Sequence, residues 1–348
     1  MANTSSPFVH WLGKVLPSLL SYTQSGIQGS TQLNSTISRR TFLDAAVKAA
    51  AISATGGLTS VPAASASPLS EANAAAPAAG SRIVDIHTHF QAKNPAYIDE
   101  FLRMSDQLNL TGCMLTPFEH RKVVADAAKK HPHQIIPFGY VDMDAPDAAR
   151  QVEEFHGLGY RGLGELEFVK KPYSDASYLP IYELANRYSW IVLFHTGIVV
   201  REKFQEPEDV ASYRMGAIYL EEIARNFPKI TVIGAHCGNP EYEWAAEIAR
   251  WNPNVFFDLS GSTLKKLGGR LSDIAKYFWW SDTDEGTDNP SQNSSAFSKL
   301  VFGSDSSPKD VGRVLAQYRA MFDACDVPES ARKLILGGML AKSLGLPD

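Results

Sequence analysis

The sequence predicts an α/β fold of the (β/α)8 type, the TIM barrel. After residue 80, short apolar segments alternate eight times with amphipathic segments of helical period, which is typical of a parallel sheet that closes into a barrel. Four of the apolar segments end in a histidine or an aspartate, and active-site side chains of such barrels stand at the C-terminal ends of the strands. Residues 81–348 have roughly the 250-residue length of one barrel. A doubly wound open sheet, with ligands at one switch point, is the alternative.

The strands are predicted from short runs rich in Ile, Val, Leu and Phe that are bounded by Gly, Pro, Asn or Asp. Apolar residues at helical spacing predict the helices between them. A long segment at residues 265–293, which contains Trp279 and Trp280, is expected to form a lid or a subunit contact. The predicted strands are residues 83–89, 112–116, 135–141, 161–165, 191–195, 230–236, 255–259 and 300–305. The predicted helices are residues 97–108, 121–130, 145–157, 179–189, 210–227, 242–251 and 329–346.

The first 80 residues differ in composition from the rest of the chain. Residues 38–43 (SRRTFL) precede an alanine-rich stretch at 45–66 and an Ala/Pro/Ser-rich linker, which together resemble a twin-arginine export signal. We therefore expect residues 1–80 to be cleaved or disordered, residues 81–348 to form the catalytic domain, and the protein to be periplasmic or secreted. If the arginine pair is a chance match, the protein stays cytoplasmic. The apolar patch at 8–12 is too short to span a membrane.

Composition excludes several functional classes. The net charge is −5, and no Lys/Arg stripe with interleaved aromatic residues occurs, so nucleic-acid binding is not expected. The three cysteines, Cys113, Cys237 and Cys325, form neither a CxxC motif nor a paired framework, which argues against a disulfide scaffold. The expected partner is a small molecule. A homodimer through the outer helices or the segment with Trp279 and Trp280 is left open.

The predicted strand ends carry a candidate metal site. Side chains alternate along a strand, so His87 and His89 share one face and can bind the same ion. His195 ends the fifth predicted strand and Asp305 the eighth, and strand ends converge at the rim of a barrel. Imidazole nitrogens with a carboxylate suit zinc and its first-row neighbours, and an open position among them is typical of catalysis. For Asp305 the competing explanation is a helix N-cap before Pro308.

Five short motifs follow one another along the chain: DIHTH at 85–89, His195, GAHCG at 234–238, FGSD at 302–305 with Pro308 close behind, and LILG at 334–337. In this order they resemble the amidohydrolase superfamily. The branch they resemble is the amidohydrolase-related group (amidohydrolase 2), which includes small-acid hydrolases, lactonases and nonoxidative decarboxylases. The resemblance extends over essentially everything after Ile83. Its HxH element alone is weak evidence, whereas the ordered set of strand ends is specific.

The resemblance implies a role for each candidate residue. Asp305 would take a proton from the attacking water as well as bind metal, and His236 would orient that water or polarise the substrate. Glu165 would bind a second ion, or it would contact one of the metal-binding residues without binding the metal itself. The competing explanation for Glu165 is an ion pair with an arginine at the rim. The expected ligands of one divalent ion, zinc or else manganese or another first-row metal, are His87, His89, His195 and Asp305.

Three functions are compatible with this site. The favoured one is metal-dependent hydrolysis of an amide, ester or lactone bond in a small carboxylated molecule. The second is nonoxidative decarboxylation of a small aromatic or unsaturated acid, with Asp305 or His236 delivering a proton to carbon. The third is a barrel without catalysis that acts as a binding protein, against which the intact set of candidate ligands argues. Candidates for substrate binding are Arg121, Tyr140, Lys170, Arg214 and Asp258, and His120 is a candidate for the pocket lining.

Overall fold

Eight parallel strands lie side by side in sequence order in the computed structural model, which describes residues 82–201, 207–278 and 296–346. The predicted export signal and linker at residues 1–80 lie outside the described residues, as do Trp279 and Trp280. The strands are β1 Ile83–His89, β2 Leu110–Thr116, β3 Ile135–Gly139, β4 Gly162–Leu166, β5 Ile191–Phe194, β6 Thr231–Gly234, β7 Val255–Asp258 and β8 Leu300–Val301.

Backbone hydrogen bonds connect the first strand with the segment that follows the last one. The Ile86 amide donates to the Phe302 carbonyl (3.1 Å), and the Asp305 amide donates to the His87 carbonyl (2.9 Å). The sheet is therefore a nearly closed barrel. This confirms the predicted (β/α)8 fold, and the doubly wound open sheet is wrong.

A helix follows every strand. The predicted bounds agree with the structure for α1, α2 and α6, whereas the predicted helix at 210–227 is interrupted because Gly216 is extended. The sequence did not predict α9. The described residues contain no helix that is both long and apolar enough to cross a membrane. The helices are α1 Tyr97–Leu108, α2 Arg121–Lys130, α3 Ala148–Gly157, α4 Leu179–Tyr188, α5 Ile218–Asn226, α6 Tyr242–Trp251, α7 Thr263–Lys266, α8 Ile274–Tyr277, α9 Val311–Ala324, α10 Glu329–Lys333 and α11 Met339–Leu344.

The strands separate two apolar layers. Val84 and Ile86 of β1, with Ile191 and Leu193 of β5, belong to a cluster inside the barrel. Alternate neighbours such as Val192 pack with the helices in a second, larger cluster. Full burial of one such aliphatic side chain stabilises a protein by about 1.5–3 kcal/mol. The interior is therefore a filled core, and any reaction must take place at an end of the barrel.

Helix α11 covers the N-terminal end of the barrel. Its Leu340 and Leu344 join the interior cluster. Arg161, which lies just before β4, donates a hydrogen bond to the Leu344 carbonyl (2.9 Å). That contact places α11 where the strands begin, so the opposite end is the one left for chemistry.

The predicted helix at 329–346 is divided into α10, a wider turn at Leu334–Gly338, and α11. The division occurs where Gly337 lies against β1. A Cβ on Gly337 would come within 2.5 Å of the Arg82 carbonyl oxygen and 2.9 Å of the Val84 amide nitrogen. The close approach of two backbones explains the glycine and the change of helical path.

Candidate active site

His87 and His89 meet at the C-terminal end of β1. The pairing of β1 with β2 shifts register between Asp85 and Thr88, which is a bulge that re-aims the side chains around it. The Nε2 atoms of the two histidines lie 3.1 Å apart. His87 is fully buried, whereas the side chain of His89 is 41% exposed. The pair therefore reaches from the interior of the barrel to its opening.

Glu165, near the end of β4, lies among four imidazoles. Its Oε2 is 3.0 Å from His87 Nε2 and 3.4 Å from His89 Nε2. Its Oε1 is 3.0 Å from His195 Nδ1 and 3.3 Å from His236 Nε2. An ion pair between Glu165 and an arginine was the competing explanation, and these contacts contradict it.

His195 directly follows β5, so its predicted strand is one residue too long. Tyr173 fixes this corner of the barrel because its hydroxyl proton is shared between the Leu166 carbonyl at the end of β4 (2.5 Å) and the His195 carbonyl (3.0 Å). The Nε2 atom of His195 is buried and has no hydrogen-bond partner among the described residues. An imidazole nitrogen in that position is available as a ligand.

His236 lies in a tight turn, Ala235–Gly238, that follows the end of β6. His236 and Cys237 have φ angles of 61° and 51°, in the left-handed region that non-glycine residues rarely adopt. Such strained residues cluster at functional sites. The turn is held because the His236 amide donates to Asp258 Oδ1 (2.8 Å) and the Thr263 hydroxyl donates to the His236 carbonyl (2.9 Å).

Asp305 lies four residues beyond β8, which is much shorter than predicted. Its φ angle is 45°, and its backbone amide donates a hydrogen bond to the His87 carbonyl. The Asp305 Oδ1 atom is 3.7 Å from His89 Nε2 and 3.8 Å from His87 Nε2. The residue that precedes the turn at Pro308–Asp310 is Ser307, so the predicted alternative of Asp305 as an N-cap is wrong.

The six candidate ligands form two trios. Within each trio the ligand atoms lie within 4.8 Å of one another, so each could hold a metal ion. The predicted ligand set is thus divided, because His195 groups with the β4 carboxylate. Glu165 contacts histidines of both trios. The trios are His87, His89 and Asp305, and Glu165, His195 and His236.

The charges of this cluster favour a bound cation. Burial opposes ionisation of Glu165, but the His87 charge and hydrogen bonds from His195 and His236 outweigh it and hold the Glu165 pKa well below its usual value. Burial also opposes the His87 imidazolium, yet Glu165 and Asp305 raise its pKa well above the usual value. The buried carboxylate therefore requires positive charge beside it, from imidazolium or from a metal. Nitrogen and oxygen donors in this combination, with His195 Nε2 unpartnered, fit a divalent first-row ion.

Asp258 orients His87. It is fully buried, and its Oδ2 accepts a hydrogen bond from His87 Nδ1 (2.9 Å). Its Oδ1 accepts from the amides of His236 (2.8 Å) and Ser260 (2.9 Å). A carboxylate on the far nitrogen fixes the tautomer of a ligating histidine and turns its other nitrogen toward the metal. The prediction that Asp258 binds substrate is therefore corrected, since both of its oxygens are already engaged.

Two predicted substrate-binding arginines are engaged elsewhere. Arg121 pairs with Glu154, and its guanidinium lies over the ring of Phe118, three residues earlier in the chain. Arg214 donates to Asp209 Oδ1 (2.8 Å). The side chain of Lys170 is exposed, and its amide donates to an aspartate (2.8 Å). These three contacts are structural, and none of them connects the residue with the six-residue cluster.

Tyr140 and His120 are the remaining candidates from the sequence for substrate binding and the pocket lining. Tyr140 is half-buried directly after β3, where its amide donates to the Thr116 carbonyl at the end of β2 (2.9 Å). The His120 ring lies 5.7 Å from the Phe90 ring, which directly follows His89. Both therefore stand near strand ends, and their predicted role in lining the pocket stays a prediction.

Ser260 and Gly261 were not identified from the sequence. The Ser260 hydroxyl lies 2.9 Å from His236 Nδ1. A Cβ on Gly261 would come within 2.8 Å of the same nitrogen, and its φ angle is +64°. The available signal was the run Asp258 to Gly261, in which a serine and a glycine follow within three residues of the end of a buried strand.

The amidohydrolase family model matches residues 60–338, which is well over half of the chain. No curated protein matches the chain. Among solved structures, an uncharacterized TIM-barrel protein from Bordetella bronchiseptica has 16% identity and a TM-score of 0.52, over 76% of this chain and 99% of that chain.

Two further solved structures have this fold. A "probable 2-pyrone-4,6-dicarboxylic acid hydrolase" from Acinetobacter baumannii has 13% identity and a TM-score of 0.51, over 76% of this chain and 100% of that chain. A 5-carboxyvanillate decarboxylase from Sphingomonas paucimobilis also has 13% identity and a TM-score of 0.51, over 77% of this chain and 100% of that chain. At these identities the likeness establishes the shared fold.

Proposed function

Because this chain belongs to the amidohydrolase family, we propose that it is a metal-dependent hydrolase that cleaves an amide, ester or lactone bond in a small carboxylated molecule. The observation that carries the proposal is the convergence of four imidazoles, 3.0–3.4 Å from the two oxygens of the buried Glu165. The chain is an enzyme of this group, so the non-catalytic binding protein is set aside. A carboxylated substrate also agrees with the names of two proteins of the same fold, which refer to a pyrone dicarboxylic acid and a carboxyvanillate.

The residues that would hold one divalent ion, for which we propose zinc, are His87, His89, His195 and Asp305. Glu165 would complete this set or connect it to a second ion. When bound, such an ion lowers the pKa of a coordinated water from about 15.7 toward about 7 and polarises a carbonyl as a Lewis acid. Asp258 contributes by keeping the Nδ1 proton of His87 in place, which leaves Nε2 free for ligation.

The side chains at the opening would transfer the proton and position the substrate. Asp305 is 31% exposed, so one of its oxygens can take a proton from the attacking water and pass it to the leaving group. His236 is only partly exposed and lies beside Glu165, where it would hold the substrate carbonyl or the water in position. The apolar interior below them excludes bulk water from one side of the site.

Nonoxidative decarboxylation is the second candidate, and the environment of His236 favours it. Burial disfavours the His236 imidazolium, but the hydrogen bond and the negative charge of Glu165 outweigh burial and raise its pKa. A protonated imidazole at the opening is the kind of group that can deliver a proton to carbon as carbon dioxide leaves. Hydrolysis needs a water-derived oxygen in the product, whereas decarboxylation does not.

Two measurements test these proposals. Elemental analysis of the purified full chain should give about one first-row ion per chain, and less in Asp305→Ala and His195→Ala. About two ions per chain would make Glu165 a bridging ligand. No ion after reconstitution would contradict the proposal.

A screen of carboxylated lactones, esters and amides in ¹⁸O-labelled water should find labelled product. Release of carbon dioxide from carboxylated phenols without ¹⁸O uptake would establish the second candidate instead. Arg313→Ala, which removes an exposed partner of Asp310, is the control.

We also propose that residues 1–80 direct export, on the twin-arginine motif and the composition described above. Cell fractionation should find a shortened chain outside the cytoplasm, and Arg39→Lys with Arg40→Lys should retain the full chain inside. Full-length protein found only in the cytoplasm would show that the arginine pair is a chance match.

A further inference from the structure

We propose that one water molecule, bound in the crevice between Lys265 of α7 and Gln317 of α9, holds Asp305 Oδ2 by a hydrogen bond, so that Asp305 presents Oδ1 to the candidate ligand histidines. The inference deepens the proposed function, since it concerns the same carboxylate. It starts from the different surroundings of the two Asp305 oxygens.

The two oxygens of Asp305 face different parts of the molecule. Oδ1 lies 3.7 Å from His89 Nε2 and 3.8 Å from His87 Nε2, on the side of the candidate ligands. Oδ2 faces the loop after β7, because a Cβ on Gly261 would come within 3.5 Å of it. Among the described residues, the hydrogen bond that Asp305 makes is the one from its backbone amide to the His87 carbonyl. Oδ2 therefore has no donor from the described part of the chain.

The crevice beside Oδ2 has room for one water molecule. It lies between α7, α9 and the segment that follows β8, and it leaves about 10 Å³ for the centre of a water molecule. A single water needs roughly 10–15 Å³ of such space and two to four polar partners. Leu264 and Val314 form apolar, buried parts of the wall. The crevice is thus too small for a substrate and close to the size of one water.

Three polar side chains line the crevice together with Asp305, namely Lys265, Ser306 and Gln317. The Ser306 hydroxyl donates its proton to the Ser304 carbonyl (3.1 Å), which leaves its lone pairs available to a water proton. Lys265 and Gln317 make no hydrogen bond or ion pair with other described residues, so their donors are available as well.

These groups match the hydrogen-bonding capacity of one water. A water has two protons, which it can donate to Asp305 Oδ2 and Ser306 Oγ, and it can accept from the Lys265 ammonium or the Gln317 amide. Lys265 and Asp305 line the same crevice without forming an ion pair, and polar groups too far apart for direct contact are commonly bridged in this way.

The consequence is a fixed orientation of the Asp305 carboxylate. A carboxylate that rotates freely can turn either oxygen, or both, toward a bound ion. A hydrogen bond in the crevice keeps Oδ2 on that side and leaves Oδ1 toward the histidines. Loss of a group that holds a ligating side chain from behind typically weakens metal binding by about 10- to 100-fold. Lys265 and Gln317 are therefore positioning residues that act on Asp305 through the water.

The first test is a high-resolution crystal structure of the full chain, with and without zinc. We expect one water within about 2.5–3.2 Å of Asp305 Oδ2 and of a polar atom of Ser306, Lys265 or Gln317. It should be present in both crystals, because the crevice does not include the metal. An empty crevice would overturn the proposal, and so would Oδ2 bound to the ion or to a water that touches none of these three residues.

The second test measures zinc affinity by competition with a chromogenic chelator. The double variant Lys265→Met with Gln317→Leu removes two partners of the water and should raise the Kd for zinc by about 10-fold or more. Lys265→Arg with Gln317 intact keeps the donors and should retain the wild-type Kd. Lys276→Met is the control, since it removes an exposed ammonium on α8 that pairs with Asp273, and it should leave the Kd unchanged.

An unchanged Kd in the folded double variant would overturn the proposal in solution. If that variant does not fold, the crystal structure of the wild type still decides. The water and the zinc affinity are both observed without turnover. A chain that holds the water and binds zinc, but hydrolyses and decarboxylates nothing, would therefore contradict the proposed function and leave this inference standing.

Discussion

The two ends of the barrel differ in the number of buried charged groups and in the partners of those groups. At the C-terminal end, Glu165 is surrounded by four imidazoles, and Asp258 and Asp305 lie close to the same rings. At the N-terminal end, Leu340 and Leu344 close the interior. Lys299, a buried cation, lies just before β8 at that end, where its ammonium donates to the carbonyls of Asn252 and Pro253 (3.0 and 3.1 Å).

The same barrel thus keeps the groups suited to chemistry at one end and those that contribute to stability at the other. Charges at the C-terminal end compensate one another, and their balance is changed by any bound cation, so they are suited to chemistry. The Lys299 ammonium is met by two backbone carbonyls and the face of the Phe256 ring and has no acidic partner in these contacts, and burial lowers the Lys299 pKa to about 8. Changes at the first end should therefore alter turnover, and changes at the second should alter the free energy of unfolding.

The largest effect is expected from Asp305→Asn. The amide has the same shape but cannot take a proton from water, so kcat should fall by about 10²–10⁴-fold with zinc at saturation. The melting temperature should stay close to that of the wild type, because Asp305 is partly exposed and the variant keeps the hydrogen bond from the backbone amide of residue 305 to the His87 carbonyl. Turnover at the wild-type rate would show that Asp305 is not the proton acceptor.

Leu340→Ala should affect only stability. Leu340 is fully buried at the closed end, so its truncation should lower the free energy of unfolding by about 2–5 kcal/mol, measured in urea. Leu334→Ala is the matched control, since that side chain is 41% exposed and its loss should stay within about 0.5 kcal/mol. A lower metal content in folded Leu340→Ala would mean that the two ends are coupled.

Lys299 should make stability rise with pH in the alkaline range. Its folded pKa of about 8 is below the ordinary value of 10.5, so between these values the unfolded chain binds more protons than the folded one. Stability then increases with pH, by about 3 kcal/mol over the whole interval. The free energy of unfolding of the wild type minus that of Lys299→Met should therefore increase between about pH 8 and pH 10. A difference independent of pH would show that the ammonium keeps its ordinary pKa.

The smallest effect is expected from Arg121→Ala. Arg121 is 20% exposed and pairs with a partly exposed Glu154, so its loss should cost about 1 kcal/mol or less. KM should not change, because the guanidinium is engaged away from the candidate ligands. A large rise in KM would restore Arg121 as a substrate-binding residue, as the sequence had suggested.

Much of this architecture was readable from local patterns. Alternating apolar strands and amphipathic helices predicted the barrel, because burial on one face imposes its period on each segment. His87, His89, Glu165 and His195 were recognisable because each stands in or next to a predicted strand end. The predicted C-terminal ends of β3, β5, β6, β7 and β8 lie beyond the observed ones, since turn geometry at the rim is set by contacts with other strands.

Periodicity and side-chain chemistry are local properties, so the fold class and the kinds of ligand atom at the site could be inferred without the structure. Long-range contacts in the folded chain were needed to show that Asp258 supports His87 instead of binding substrate, and that Ser260 contacts His236. The same holds for the pairing of Arg121 and Arg214 with acidic residues. These outcomes depend on atoms far apart in the chain, Asp258 and His87 being 171 residues apart. A hydrogen bond forms over about 3 Å, and no sequence spacing predicts which distant groups approach that closely.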